Sequence, residues 1–190
     1  MILNKAFLVS IAAAGITVVS PSSAEYLRKD ECRNMTSCST CISSSFCVWC
    51  VTKSKCTKQE CGNDNIIYPD NVGAIMAGSS FCPRVVEPNV RTIKSGSRQR
   101  FAVKITQIHL YMAFTPWKCQ IVVDNTQAVT NAVLLGDTVF CEAALFENKS
   151  KNPYVNGTIS VLWDYSKSFD GAAPIEVCRC DLDSTCSACK

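Results

Sequence analysis

The sequence predicts a small disulfide-rich module followed by an all-β sandwich and a short cysteine-rich tail. Three observations predict it: cysteines crowd the two ends of the chain, the stretch between them is long enough for a core of its own, and its apolar residues alternate in short runs. Eight cysteines lie between Cys32 and Cys82, two between Pro83 and Val177, and four between Cys178 and Cys189. A segment of about 50 residues buries too little apolar surface to fold by its core alone, so it needs staples contributing about 2–4 kcal/mol each. The middle segment can do without them, and its length approaches the ~100 residues of a single sandwich.

Residues 1–24 read as a secretory leader. Lys5 supplies the positive charge, the apolar run through Phe7, Leu8, Val9, Ile11, Ile16 and Val18 follows, and Ser22 and Ala24 place small residues where a signal peptidase cuts. The run is shorter than the ~20 residues of a membrane span, and no later stretch is longer. The expected product is therefore secreted, with cleavage after Ala24. All 14 cysteines lie beyond that point, and their even number suits an oxidising compartment with none left over. Three glycosylation sequons agree: Asn34-Met-Thr36, Asn148-Lys-Ser150 and Asn156-Gly-Thr158. Asn156 leads among them, because Gly157 suggests an exposed turn.

The formal net charge of +3 falls further once Lys5 leaves, which is too little to argue for nucleic acid. Basic residues thicken locally at Arg84, Arg91, Lys94, Arg98, Arg100 and Lys104. They read as a solvated strand between domains, with a weak glycosaminoglycan contact as the alternative.

The middle segment supplies its strands in order. Phe101, Val103, Ile105 and Ile108 form an alternation interrupted by a bulge; Ile121–Val123 is a β-branched run; Val133–Leu135 and Val139–Cys141 flank the turn Gly136-Asp137. Thr158–Trp163 sets Ile159, Val161 and Trp163 on one face and Thr158, Ser160 and Leu162 on the other, and Ile175–Val177 is a last strand. Short strands at this spacing, separated by Gly, Pro, Asn and Asp, indicate a sandwich. No 3.6-residue apolar stripe follows the leader. Cys119 and Cys141 sit at the edges of apolar runs and are expected to bridge two strands, contributing on the order of 3 kcal/mol.

The spacing Cys32-x5-Cys38-x2-Cys41-x5-Cys47-x2-Cys50-x5-Cys56-x4-Cys61, then Cys82, with Trp49 inside Cys47-Val-Trp-Cys50, resembles the PSI domain of plexins, semaphorins and integrins. Eight cysteines allow 105 connectivities. The resemblance implies Cys32–Cys47, Cys38–Cys82, Cys41–Cys56 and Cys50–Cys61, with Trp49 packed against the knot. Lys118–Asp124 and Thr138–Glu142 resemble the paired-cysteine strands of the immunoglobulin-like (IPT/TIG) domain that follows the PSI domain in plexins. Cys180-x5-Cys186-x2-Cys189 resembles the start of a second PSI module. The implied division is a leader at 1–24, a PSI domain at 25–83, an Ig-like sandwich at 84–177 and a tail at 178–190. In the tail, the extra Cys178 lets Cys178, Cys180, Cys186 and Cys189 pair among themselves. No propeller of the semaphorin-binding kind is present in the sequence, so semaphorin signalling is not carried over. By plan and size the chain also resembles, more loosely, the small mosquito salivary proteins that act on host leukocytes, the neutrophil-stimulating kind among them.

Catalysis is not expected. Three Cys-x-x-Cys elements, at Cys38–Cys41, Cys47–Cys50 and Cys186–Cys189, lie in cysteine-dense loops rather than at a helix N-terminus after a strand, where a thiol would be activated. Zinc needs free thiolates and a longer spacer between ligand pairs. His109 is the only histidine and sits in a strand-like run, which leaves acid–base schemes a single imidazole. Asp181 and Asp183 fall short of the six or more oxygens that calcium prefers. No cofactor, metal or catalytic residue is implied. The remaining contact candidates are aromatic: Phe114 and Trp117, in a loop before Cys119, are of the type enriched at interfaces. The expected function is binding of an extracellular protein, a leukocyte surface receptor in the sharper version. The alternative is a decoy sequestering a plexin, semaphorin, integrin or other soluble ligand. Recognition is expected on sandwich loops or a sheet edge.

Overall fold

A computed structural model describes residues 31–58 and 61–190. The leader expected over residues 1–24 lies outside them. Within the first module, Ser37 caps a short helix, α1 (Cys38–Ile42), its hydroxyl accepting from the Thr40 amide at 3.3 Å. The cap satisfies one of the orphan amides of the first turn. Five residues are too few to display a helical stripe, which is why the apolar pattern does not reveal α1. Strands β1 (Val48–Cys50), β2 (Lys55–Thr57) and β3 (Ile66–Ile67) form an antiparallel sheet with β1 in the centre. The disulfides Cys32–Cys47, Cys38–Cys82, Cys41–Cys56 and Cys50–Cys61 staple these elements around buried Ile42, Trp49, Val51 and Ile67.

Nine further strands build the Ig-like sandwich: β4 (Arg84–Val85), β5 (Arg91–Lys94), β6 (Ser97–Thr106), β7 (Trp117–Val123), β8 (Thr126–Leu135), β9 (Thr138–Phe146), β10 (Tyr154–Trp163), β11 (Lys167–Ser168) and β12 (Ala173–Cys178). Their hydrogen-bonded order is β4-β6-β9-β8-β7-β10-β12-β5, with β11 on β10. Every pairing is antiparallel except that of β5 with β12. Strand β8 is the corner of the sandwich. Its residues 126–132 pair with β7 and its residues 132–135 with β9, so Ala132 faces both Trp117 and Cys141. One layer is thus β4-β6-β9 with the end of β8; the other is the start of β8 with β7-β10-β12-β5. The Cys119–Cys141 disulfide joins β7 to β9, which are not ladder neighbours, and so clamps one layer to the other.

The core follows from period-2 alternation. Phe101, Val103 and Ile105 point inward from β6; Ile121 and Val123 from β7; Val139 and Phe146 from β9; Ile159, Val161 and Trp163 from β10; Ile175 and Val177 from β12. Leu162 is buried as well, where β11 lies beside β10. The bulge expected near Ile108 in β6 is found instead in β9, opposite Gln99–Phe101, where the inward row changes parity between Cys141 and Ala144. Strand β6 ends at Thr106 because Gln107 turns into the left-handed region, with φ of 59°.

Asn156-Gly157 is a strand segment, not the turn expected from its composition: Asn156 pairs with Glu176 on β12 and Gly157 with Val123 on β7. Gly157 serves close approach. A Cβ there would lie 2.5 Å from the Val122 carbonyl oxygen and 3.0 Å from Ile175 Cγ1. Gly157→Ala should destabilise the fold by about 1–3 kcal/mol, the cost of overpacking against backbone that cannot retreat, read as a lower midpoint in urea. An unchanged midpoint would mean that β7 and β10 separate freely.

The tail closes on itself through Cys178–Cys186 and Cys180–Cys189. It is tied to the sandwich by the Ser95 amide donating to the Cys178 carbonyl (2.7 Å) and the Arg179 amide donating to the Pro153 carbonyl (2.8 Å). The Tyr154 hydroxyl donates to Asp183, and the hydroxyls of Thr92 on β5 and Ser187 hydrogen-bond to each other. Among the described residues, no helix is long and apolar enough to cross a membrane.

Candidate interaction surfaces

The first module and the sandwich share one buried cluster. Asp170, just after β11, reaches across the seam: its carboxylate accepts from the Cys38 amide at 2.9 Å and the Ser39 amide at 2.6 Å. It thereby satisfies the first amides of α1 with a charged acceptor. The Asp170 backbone completes the join, donating to the Pro83 carbonyl (2.9 Å) and accepting from the Val85 amide (2.8 Å). Trp49 and Val51 meet Met112 and Trp163 below it. The two modules are therefore welded, not strung on a linker.

His109 and Tyr111 sit at the same seam, their rings stacked at 5.6 Å, with Tyr111 tilted 5.9 Å from Trp163. Burial pushes the Tyr111 phenol above its ordinary value; among the described residues its buried hydroxyl makes no well-formed hydrogen bond, although Thr52 and Asn65 lie beside it. Burial also holds His109 below its ordinary 6.5, and Asp64 across the seam opposes that shift. A histidine depressed in the folded state contributes stability above pH 6.5 that is lost as the pH falls through its folded value. Acidification from pH 7.5 to pH 5 should therefore lower the urea midpoint, and His109→Gln should flatten that dependence; an equal slope in both proteins would sink the assignment.

Strand-like Ile108–Tyr111 becomes extended chain leading into a 3-10 turn, Leu110–Phe114. Tyr111 and Met112 point into the seam while Leu110 and Phe114 project outward, 80% and 83% exposed. Phe114 is thus available for contact. Trp117 is not: it opens β7, is buried against Phe169 at 5.6 Å, and its Nε1 donates to the Met112 carbonyl at 3.1 Å. It is a packing residue because its position in β7 faces the core. Leu110 was not singled out by sequence reasoning. Its spacing of four from Phe114 was the available signal, hidden by the apparent strand alternation.

Asn148 is buried as well. It is 5% exposed, and its Nδ2 donates to the carbonyls of Asn152 (2.9 Å) and Val177 (3.4 Å) while its Oδ1 accepts from Ser150. The amide nitrogen that would carry a glycan is thus engaged in the folded chain. Asn34 and Asn156 are exposed. The basic residues do not form one strand: Arg91 pairs with Glu87 at 2.9 Å, Arg84 reaches the Ser79 carbonyl at 3.5 Å, and Lys94 ends β5. Arg98, Arg100 and Lys104 stand exposed on β6. The β5 edge is partly covered by the tail, through Thr92 and Ser187. Every cysteine is disulfide-bonded, so the sulfur clusters at Cys32, Cys47 and Cys56 and at Cys38 and Cys82 beside Asp170 offer no thiolate to a metal or a redox step.

Comparison with known families fits this geometry. Residues 91–178 match the TIG domain found in plexins, and residues 31–71 match the plexin repeat, PSI. The chain is a plexin-like PSI–TIG protein. Its fold is similar to part of the full extracellular region of plexin A4, at a TM-score of 0.62 and 14% identity over 78% of this chain. A second structure of the same region gives 0.58, also at 14% identity, over 77% of this chain. The plexin-like chain spans only 15% and 13% of those two structures. No curated protein matches it in sequence.

Proposed function

We propose that this protein is a secreted extracellular binding protein that engages a leukocyte surface receptor through the turn Leu110–Phe114. The observation that carries the reading is the outward pair Leu110 and Phe114 on a turn whose Tyr111 and Met112 pack into the PSI–TIG seam. An aromatic anchor held on a rigid base loses little freedom on binding, which is how a few residues come to dominate an interface. The leukocyte assignment draws on the looser likeness in plan to salivary proteins that act on such cells. Fluorescently labelled, endotoxin-free protein should bind neutrophils saturably and activate them. Phe114→Ala should weaken binding by about tenfold or more while leaving the melting temperature unchanged. Silence at micromolar concentration would sink the reading.

The likeness to a receptor ectodomain favours a second reading, a decoy that sequesters a plexin, semaphorin, integrin or other soluble ligand without signalling. Such a decoy should retain a defined partner from plasma, and neutrophils should not respond to it.

A further inference from the structure

We propose that the outer face of β6, β9 and β8 is a second docking surface, for an extracellular protein that presents acidic side chains around an apolar centre. An antiparallel layer with one solvated face ordinarily turns polar residues outward, and this layer interrupts them with Val133, Leu135 and Phe140. The ladder sets Ala102, Phe140 and Val133 in one row across the three strands and Lys104, Thr138 and Leu135 in the next. Val133 and Leu135 are 67% and 70% exposed, and Phe140 and Leu145 are exposed with them. Among the described residues, the PSI module joins the sandwich at Asp170 and the tail joins it at β5 and β12.

The charge beside the apolar stripe is mainly basic, with Arg98, Arg100 and Lys104 against Glu142. The bulge opposite Gln99–Phe101 puts the extra residue in β9, where Glu142 and Ala143 together stand against Arg100; Arg98 and Arg100, on one face of β6, border one shallow concavity with Val133 and Phe140. Among the described residues, Arg98, Arg100 and Lys104 take part in no ion pair. The acid on this face, Glu142, is engaged by Asn131 Nδ2 at 3.3 Å. Unpaired arginines at the rim of an apolar centre are the composition of a protein interface, and they call for carboxylates opposite. A sulfated polysaccharide would use the cations and leave the apolar stripe wet. A second copy docked on a twofold axis would set arginine rims against each other. This face is separate from the Leu110–Phe114 turn, and the inference does not rest on the leukocyte reading.

The test selects binders from a random-peptide phage library on the intact protein and measures the best synthetic peptide by titration. Enriched sequences should combine Asp or Glu with Leu, Phe or Trp. Binding should fall by about tenfold or more in Val133→Asp and in Arg100→Glu, both at exposed positions and each checked for an unchanged melting temperature, and should persist in Phe114→Ala. A library without acidic–apolar enrichment, or peptides indifferent to both variants, overturns the proposal. So does heparin binding that Arg100→Glu abolishes and Val133→Asp leaves intact, or a concentration-dependent dimer that Val133→Asp dissolves.

Discussion

Trp163→Ala should lower stability by about 3–5 kcal/mol, the cost of emptying a large aromatic site in a core. Trp163 belongs to two cores at once. It ends the inward row of β10 and lies beneath the PSI seam, with Tyr111 tilted 5.9 Å away and Lys167 Nζ 4.6 Å from its ring centroid. Its removal should therefore unfold both modules in one transition at lower urea, followed by intrinsic fluorescence and by circular dichroism. Two separated transitions would show that the modules fold independently and that the shared cluster is only contact. Phe114→Ala, at a position 83% exposed, should stay within about 0.5 kcal/mol of the parent.

Replacing Cys119 and Cys141 together with alanine should cost on the order of 3 kcal/mol, mainly by releasing a loop whose ends are 22 residues apart in the unfolded chain. Both are changed at once so that no buried thiol remains. The variant should still melt cooperatively, because β8 already joins the layers through hydrogen bonds to β7 and β9. Loss of cooperativity would mean that the disulfide, and not the shared strand, makes the sandwich one body. Differential scanning calorimetry separates the two outcomes.

Much of the architecture was legible because alternation and cysteine spacing are strong local signals. Phe101, Val103 and Ile105, then Ile159, Val161 and Trp163, announced their inward faces, and Gly136-Asp137 announced the β8–β9 hairpin. What was not legible depended on neighbours distant in sequence. Asn156-Gly157 carries turn chemistry but is pinned as strand by β7 and β12 on its two sides. Trp117 sits in a run that reads as a loop, and only the register of β7 turns it inward. The seam could not be read at all, since Asp170 is 132 residues from the Cys38 amide it receives. Of the candidate contacts, Phe114 remained outside, and Leu110 emerged only once the 3-10 turn replaced the expected strand.

The parallel pairing of β5 with β12 has a mechanical consequence. Arg91 lies opposite Ile175 and Lys94 opposite Cys178, so the two strands run the same way. The chain enters β5 at Arg91 from the PSI side, through β4, and the tail leaves from the end of β12, at Cys178. A pull between the PSI module and the tail therefore acts along the β5–β12 ladder and loads it in shear. Its hydrogen bonds must then yield together instead of opening one after another, which makes the sandwich a strut that resists tension along its long axis better than peeling from its side.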